Sequence, residues 1–177
     1  MIELICGPMS SGKSTEMLRR LKRAQIAGIP TILIKPSTDD RTVGTISTHD
    51  KIQVPCLTVA PYARDIQKFI GNAQVIGIDE IQFFDKCVVP YIVDMSVQGR
   101  RFVVAGLDLD FAGHGFETTK ELFPFAEEVR KLSAVCVRCG ADAPRSFRKV
   151  RDGATVLVGG LDTYEARCVK CWQEGTK

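Results

Sequence analysis

One stretch near the start limits what this chain can fold into: Gly7-Pro8-Met9-Ser10-Ser11-Gly12-Lys13-Ser14, with Thr15 behind it. It matches G-x-x-x-x-G-K-[ST], a loop that wraps phosphates. Its surroundings add more than the pattern does. Ile2 to Cys6 is a short apolar run that reads as a buried strand, and Met17, Leu18 and Leu21 recur at helical spacing after the loop. Arg19, Arg20, Lys22 and Arg23 fall on the other face of that helix and read as solvated. Strand, glycine loop and helix together let backbone N–H groups curl round an anion at a helix N-terminus. Lys13 would reach the β- and γ-phosphates, and the Ser14 hydroxyl would ligate Mg²⁺. An ordinary Gly/Ser turn before a helix is the alternative, and the flanking elements argue against it. The chain is expected to bind a nucleoside triphosphate with Mg²⁺.

Such a loop needs a carboxylate beside it. Val75-Ile76-Gly77-Ile78 reads as a buried strand ending at Asp79-Glu80, and an Asp at that place in phosphate-loop enzymes holds Mg²⁺. Successive strand residues point to opposite sides, so Asp79 is expected to face the metal and Glu80 a space for an acceptor or water. Further strands are expected over Thr31–Ile34, Val54–Val59 (weakened by Pro55) and Phe102–Ala105, with helices over Ala63–Ile70 and Lys86–Gln98. Ile66, Phe69 and Ile70 form the apolar face of the first of these helices. Two polar stretches, 35–51 and 106–119, read as functional loops. Alternating strands and helices predict an α/β fold, a parallel sheet covered by helices on both faces. Phe84 reads as core, and His49 and His114 as polar loop residues without metal spacing.

From about Leu132 the pattern changes. Cys136, Cys139, Cys168 and Cys171 give C-x-x-C twice, the spacing with which four thiolates close a structural zinc site. A redox pair is the alternative, but a redox C-x-x-C needs no second copy. Thr155 to Val158 reads as a strand inside the long segment between the pairs, and Cys6, Cys56 and Cys87 as core or subsurface thiols. The division expected is residues 1–134 for the nucleotide-binding body and 135–177 for a small zinc-binding domain.

The 177 residues carry 24 basic and 21 acidic side chains, a net charge of +3, which falls short of a nucleic-acid footprint. The run Arg145 to Arg151 accordingly reads as a solvated face. No apolar run reaches the length of a membrane span, the N-terminus has no signal-peptide layout, and the seven cysteines suit metal in a reducing compartment. A cytoplasmic protein without nucleic-acid or membrane partners is expected. The rival class is a zinc-ribbon ATPase acting on nucleic acid, which shares the phosphate loop and the strand-end Asp-Glu.

With those residues in view, the chain resembles the type II thymidine kinases over nearly its whole length. The matching segments are Gly7 to Thr15, Asp39-Asp40-Arg41, Val75 to Phe84, Gly106-Leu107-Asp108-Leu109-Asp110-Phe111, Lys131 to Cys136 with Cys139, and Val158-Gly159-Gly160 with Tyr164 and Cys168 to Cys171. The resemblance implies ATP-dependent phosphorylation of the thymidine 5′-hydroxyl, and of deoxyuridine, with Mg²⁺ and one structural Zn²⁺ per chain. It further implies a homotetramer inhibited by dTTP. The catalytic base maps onto Glu80, the loop Asp and Arg onto Asp39 and Arg41, and the magnesium ligands onto Ser14 and Asp79. ATP binding maps onto Gly7, Pro8, Met9, Ser10, Ser11, Gly12, Lys13, Ser14, Thr15, Asp79 and Gln82. The base pocket maps onto Phe83, Leu107, Phe111 and Phe116, with Ser146, Thr155, Leu157 and Tyr164 on a lasso closing over the nucleoside. Two positions depart: Ser10 stands where the family usually has an aromatic, and Gly115 where a Pro commonly precedes the last Phe.

Overall fold

The computed structural model describes residues 1–39, 44–47, 53–150 and 162–176. Its first element is buried along its whole length, as the interior of a parallel sheet requires. In chain order the body comprises β1 (Ile2–Cys6), α1 (Lys13–Ile26), β2 (Thr31–Pro36), β3 (Thr45–Ser47), β4 (Gln53–Pro55), β5 (Leu57–Val59) and α2 (Ala63–Ile70). There follow β6 (Val75–Ile78), a 3₁₀ turn at Ile81–Phe83, α3 (Val88–Val97), β7 (Arg101–Gly106), α4 (Glu117–Leu122) and β8 (Glu128–Lys131). The sheet has six strands in the order β5-β2-β6-β7-β1-β8, every neighbouring pair parallel.

Alternate residues divide the core between the two faces. Ile5, Leu33, Val75, Val103 and Ala105 meet Met17, Leu21 and Ala24 of α1. Ile2, Leu4, Ile34, Ile76, Ile78, Phe102 and Val104 meet Ile66 and Ile70 of α2, Val88, Val89 and Ile92 of α3, and Leu122 of α4. Phe84 joins this second cluster, as the sequence predicts.

Several elements differ from expectation. The run Val54–Val59 is two strands: β4 pairs with β3 in a separate ribbon and β5 pairs with β2. Pro55 has no N–H for a continuous ladder, and the chain changes partner at Cys56. The stretch 35–51 accordingly includes the end of β2 and all of β3, while 40–43 and 48–52 lie outside the described residues. Phe69 is exposed, because α2 buries only the stripe through Ile66 and Ile70. The last residues of the 106–119 loop open α4, with Thr118 and Thr119 buried. β8 is an edge strand with all four residues exposed, so it lacks the apolar alternation that announces a strand. Cys87 is an exposed thiol and Cys56 a half-buried one, while Cys6 is core.

After β8 come β9 (Ala134–Val135), β10 (Asp142–Ala143), β11 (Arg145–Arg148), β12 (Tyr164–Arg167) and α5 (Val169–Thr176). β9 pairs with β10 and β11 with β12, both antiparallel, around a small core of Ala134, Cys136, Ala143 and Ala166. The basic run at Arg145 is therefore no solvated face: β11 alternates, and Ser146 and Arg148 are buried. The strand expected over Thr155 to Val158 lies outside the described residues.

Arg20 also departs from the solvated face expected of it. It is buried, and its guanidinium donates to Glu3 of β1, to Glu16 of α1 at 2.9 Å and to Glu128 of β8 at 2.7 Å. Glu3, with a side chain 2% exposed, accepts from Arg101 as well. One guanidinium thus ties the phosphate-loop helix to β1 and to the edge strand β8. Hydrogen bonds from Arg19 and Arg20 hold the Glu16 carboxyl at about 2, against an ordinary 4.5. Burial pushes Glu3 up, but Arg101 and Arg20 more than offset this and its net shift is also downward.

A depressed carboxyl stabilises the fold above its unfolded pKa and loses that contribution as pH falls through its folded value. Urea midpoints are therefore expected to drop between about pH 4.5 and 2. Arg20→Met should cost about 3 kcal/mol, the low end for a broken buried pair because Arg101 still covers Glu3, and should flatten that acid limb. Wild-type stability and an unchanged limb in the variant would show that the edge is held some other way.

Candidate active site

The loop after β1 is shaped by its backbone. Gly7 has φ 144°, and a Cβ there would stand 2.3 Å from the Leu132 carbonyl oxygen, so only glycine lets β1 leave the sheet past β8. Ser10, a non-glycine, adopts φ 62°. The Lys13 ammonium donates to the Pro8 carbonyl at 2.6 Å, and the Ser11 hydroxyl to the same oxygen at 2.9 Å, which closes the loop on itself. Burial pushes the Lys13 pKa down, while the nearby Glu80, Asp79 and Asp108 carboxylates pull it back up.

β7 lies between β1 and β6, so the loop and Asp79 do not meet through neighbouring strands. They meet through α1. The Ser14 hydroxyl, in its first turn, donates to the Asp79 carboxylate at 2.9 and 3.1 Å. Two oxygens sharing one octahedral Mg²⁺ at about 2.1 Å lie roughly 3.0 Å apart at right angles, so this pair fits the ion. Burial, and then the adjacent Glu80 carboxylate, push Asp79 up to about 7. Ionised Asp79 therefore gains from any cation placed there.

Glu80 diverges from Asp79 in a way strand alternation does not provide. β6 ends at Ile78, and Glu80 stands in the left-handed region at φ 54°, ψ 44°. Its N–H donates to Asp79 Oδ1 at 3.1 Å, and its Oε2 accepts from the Gln82 amide. Gln82 Oε1 in turn accepts from the Leu107 N–H at 2.9 Å, and the Leu107 carbonyl accepts from the Thr119 hydroxyl at 2.9 Å. One hydrogen-bonded chain therefore runs from Ser14 through Asp79, Glu80 and Gln82 to the loop at Leu107. A left-handed non-glycine costs of order 1–3 kcal/mol and persists where its surroundings fix it, commonly at functional sites.

Of the other residues singled out in the sequence, Asp39 is buried and paired with Lys35 at 3.5 Å. Phe83, Leu107, Phe111 and Phe116 are half-buried around the 3₁₀ turn and the 107–116 loop. Ser146 accepts from the Met9 N–H of the phosphate loop at 3.0 Å, which puts it against that loop. Tyr164 pairs in register with Arg148, whose guanidinium lies 5.0 Å over the Phe111 ring. Arg41, Thr155, Leu157 and His49 lie outside the described residues. His114 is exposed, 3.5 Å from Asp110.

The sequence patterns assign no role to two charged residues at the site. Lys35 is 1% exposed and closes the apolar run of β2; an isolated lysine at a strand end, four residues from Asp39, is the available signal. Asp108 stands 2.7 Å from Lys131, joining the 107–116 loop to the end of β8.

In the small lobe, Cys136, Cys139, Cys168 and Cys171 bring their Sγ atoms within 4.8 Å of one another, with Cys139 and Cys168 at 3.6 Å. Four sulfurs at about 2.3 Å from one Zn²⁺ stand roughly 3.8 Å apart, so the cluster fits a closed tetrahedral site. The thiols are unevenly matched: backbone hydrogen bonding at Cys168 lowers Cys136 to about 6, and contact with the Cys168 side chain raises Cys171 to about 12.

A family model described as thymidine kinase matches residues 1–172 of the chain. Among solved structures the chain is similar to a replication initiator DnaA bound to AMPPCP and single-stranded DNA, at 10% identity and a TM-score of 0.45, over 75% of this chain and 40% of that one. It is similar to the Thermotoga maritima RuvB Holliday junction branch migration motor at 14% identity and a TM-score of 0.43, over 77% of this chain and 39% of that one. For domain III of the Thermotoga maritima replication initiation protein DnaA the values are 12% and 0.44, over 75% and 55%. The chain spans well under two thirds of the length of each, and likeness at these scores carries no argument about its activity.

Metal analysis of the reduced protein is expected to find about one zinc per chain. Cys168→Ser should lose it and loosen the small lobe while the body, with its own core, still binds ATP. Reduced protein free of zinc would remove the metal site, and a Cys168→Ser variant that retained full zinc would remove Cys168 from it.

Proposed function

The chain belongs to the thymidine kinase family, and we propose that it transfers the γ-phosphoryl group of ATP to the 5′-hydroxyl of thymidine. The observation that supports this best is the continuous chain from Ser14 to Leu107. It joins a phosphate loop to a second loop with aromatic residues through one carboxylate, Glu80, whose Oε2 accepts from Gln82. A phosphoryl transfer needs nucleophile and phosphate held in line and the phosphate charge neutralised.

In this reading the backbone N–H groups over residues 10–15 of the loop and the Lys13 ammonium hold the β- and γ-phosphates. Ser14 and Asp79 would hold Mg²⁺, which supplies charge neutralisation on the phosphates. Glu80 accepts the 5′-hydroxyl proton as that oxygen forms its bond to the γ-phosphorus, and the bond to the bridging oxygen breaks to release ADP. Arg41 would stabilise the transferring group, and Asp39, anchored on buried Lys35, would hold the root of its segment. Phe83, Leu107, Phe111 and Phe116 would line the base pocket, with Ser146, Thr155, Leu157 and Tyr164 from the lasso. The small lobe, taken as residues 135–177, would be pinned by one structural zinc; its core already includes Ala134.

Several broader features belong to the same proposal. Among the described residues β8 ends the sheet, and its Val129, with Phe123 and Phe125 just before it in the chain, is exposed, which supports assembly into a homotetramer. The product's triphosphate, dTTP, shares the features recognised at both loops and would act as feedback inhibitor. A net charge of +3 supports a protein without a nucleic-acid partner. Among the described residues no helix is long and apolar enough to cross a membrane, and no two cysteines are bonded, which supports a cytoplasmic enzyme.

ADP formation with ATP and each of the four deoxynucleosides tests the substrate. Thymidine should be fastest, deoxyuridine usable but poorer for want of the methyl contact, and deoxycytidine lower by 10²-fold or more in kcat/KM, since its donor and acceptor are exchanged. Deoxycytidine within tenfold of thymidine would contradict the selectivity. Glu80→Gln should keep both substrates bound and lose turnover by roughly 10²- to 10⁴-fold, the range for a positioned base. A near-normal kcat in that variant would leave Glu80 a purely structural turn residue.

A further inference from the structure

Trp172 is the single tryptophan of the chain and follows Cys171 directly. Its half-buried indole crosses from the small lobe to the body. There Nε1–H donates to the Phe111 carbonyl oxygen at 3.1 Å, across a sequence separation of 61. An indole nitrogen only donates, and when covered it needs an acceptor, so this bond fixes where the ring lies.

The receiving loop is built to take it. Leu109 and Gly115 form a bridge, and the Asp110 carboxylate accepts from the N–H groups of Ala112 at 2.9 Å and His114 at 2.8 Å. The loop tip is therefore a closed turn rather than a loose strand of chain. Gly113, at φ 87°, lies against the indole, with its unbuilt Cβ position 3.5 Å from the ring.

At its other end Trp172 is rooted in the thiol cluster. Its N–H donates to the Cys168 carbonyl at 2.9 Å, and the Cys171 N–H points to the Cys168 sulfur at 3.4 Å. A second contact from the same lobe, the Arg148 guanidinium over the Phe111 ring at 5.0 Å, meets the same loop.

We propose that Trp172 is a positioning residue for the nucleoside, carrying the geometry of the four-thiol site to the 107–116 loop through its bond to Phe111. The inference rests on the reading of that loop as the base pocket. The order of the pocket then depends on the order of the zinc lobe, whereas the phosphate loop, which meets that lobe through Ser146 at Met9, is also closed by its own contacts at Pro8.

Trp172→Phe keeps an aromatic ring and removes the N–H. The thymidine KM should rise by roughly 3- to 10-fold, the change that corresponds to losing one neutral hydrogen bond, with the ATP KM, kcat and zinc content unchanged. An unchanged thymidine KM, or an equal rise for ATP, would overturn the proposal. The wild-type protein gives a second measurement that does not depend on the variant folding, because its emission comes from this one indole. Thymidine should shift that emission, and removal of the metal with a chelator should abolish the thymidine response while ATP still binds. Emission indifferent to thymidine, or a thymidine response that survives zinc removal, would also overturn it. If the wild type phosphorylates no deoxynucleoside, the proposed reaction and this role fall together; if it phosphorylates thymidine and Trp172→Phe does so with wild-type KM, only the role of Trp172 falls.

Discussion

The hydrogen bond between the Ser14 hydroxyl and the Asp79 carboxylate is the contact on which the rest of the site depends. The two residues come from elements that are not neighbours, since β7 separates the strand before the loop from the strand before Asp79. What brings them together is the seating of α1 across the sheet. Met17, Leu21 and Ala24 press onto Val103 and Ala105 of β7, Val75 of β6 and Leu33 of β2, which aims the first turn of the helix at the end of β6. Burial of that apolar stripe is worth roughly 1.5–3 kcal/mol per large side chain, enough to fix the helix before any ligand binds. Arg20, on the same helix, adds the polar anchor to Glu3 and Glu128. The phosphate site is thus held by a hydrophobic interface and one buried guanidinium behind it.

From Asp79 onward the chain trades local strain for placement. Glu80 takes a left-handed conformation, and its carboxylate turns away from Asp79 to meet Gln82. Gln82 uses both ends of its amide, one for Glu80 and one for the Leu107 N–H, so the carboxylate and the second loop cannot move independently. The Thr118 hydroxyl on the Phe84 carbonyl and the Thr119 hydroxyl on the Leu107 carbonyl fasten the same region from α4. Three neutral hydrogen bonds at roughly 1 kcal/mol each, with the one from Gln82 to the Glu80 carboxylate, are comparable with the cost of the strained turn. The small lobe touches this assembly at Met9 through Ser146 and at Phe111 through Trp172 and Arg148, so it reaches both proposed substrate loops.

Much of this was legible in the sequence because it rests on local signals. An apolar run, a glycine loop and an amphipathic helix fix β1, the loop and α1; an apolar run ending in Asp-Glu fixes β6; two C-x-x-C pairs bring the thiols together. The parts that stayed hidden depend on tertiary burial. Arg20 looks like any residue of a basic face until Glu3 and Glu128 surround it, and β8 has no alternation because one edge and its side chains remain open. The left-handed turn at Glu80 has no glycine to mark it, and the sequence instead suggests divergence by strand alternation. The roles proposed for Arg41, Thr155 and Leu157 come from no periodicity and rest on the sequence resemblance alone.

In the proposed reaction Glu80 delivers a nucleoside hydroxyl, rather than water, to the phosphorus held over Ser14 and Lys13. A single-turnover rapid-quench experiment with ATP labelled in the γ-phosphate and excess thymidine tests it most directly. The label should leave ATP in one phase and appear on the 5′-oxygen of thymidine as the monophosphate, with no inorganic phosphate above the thymidine-free control. Label released as inorganic phosphate at the same rate with or without thymidine would contradict it.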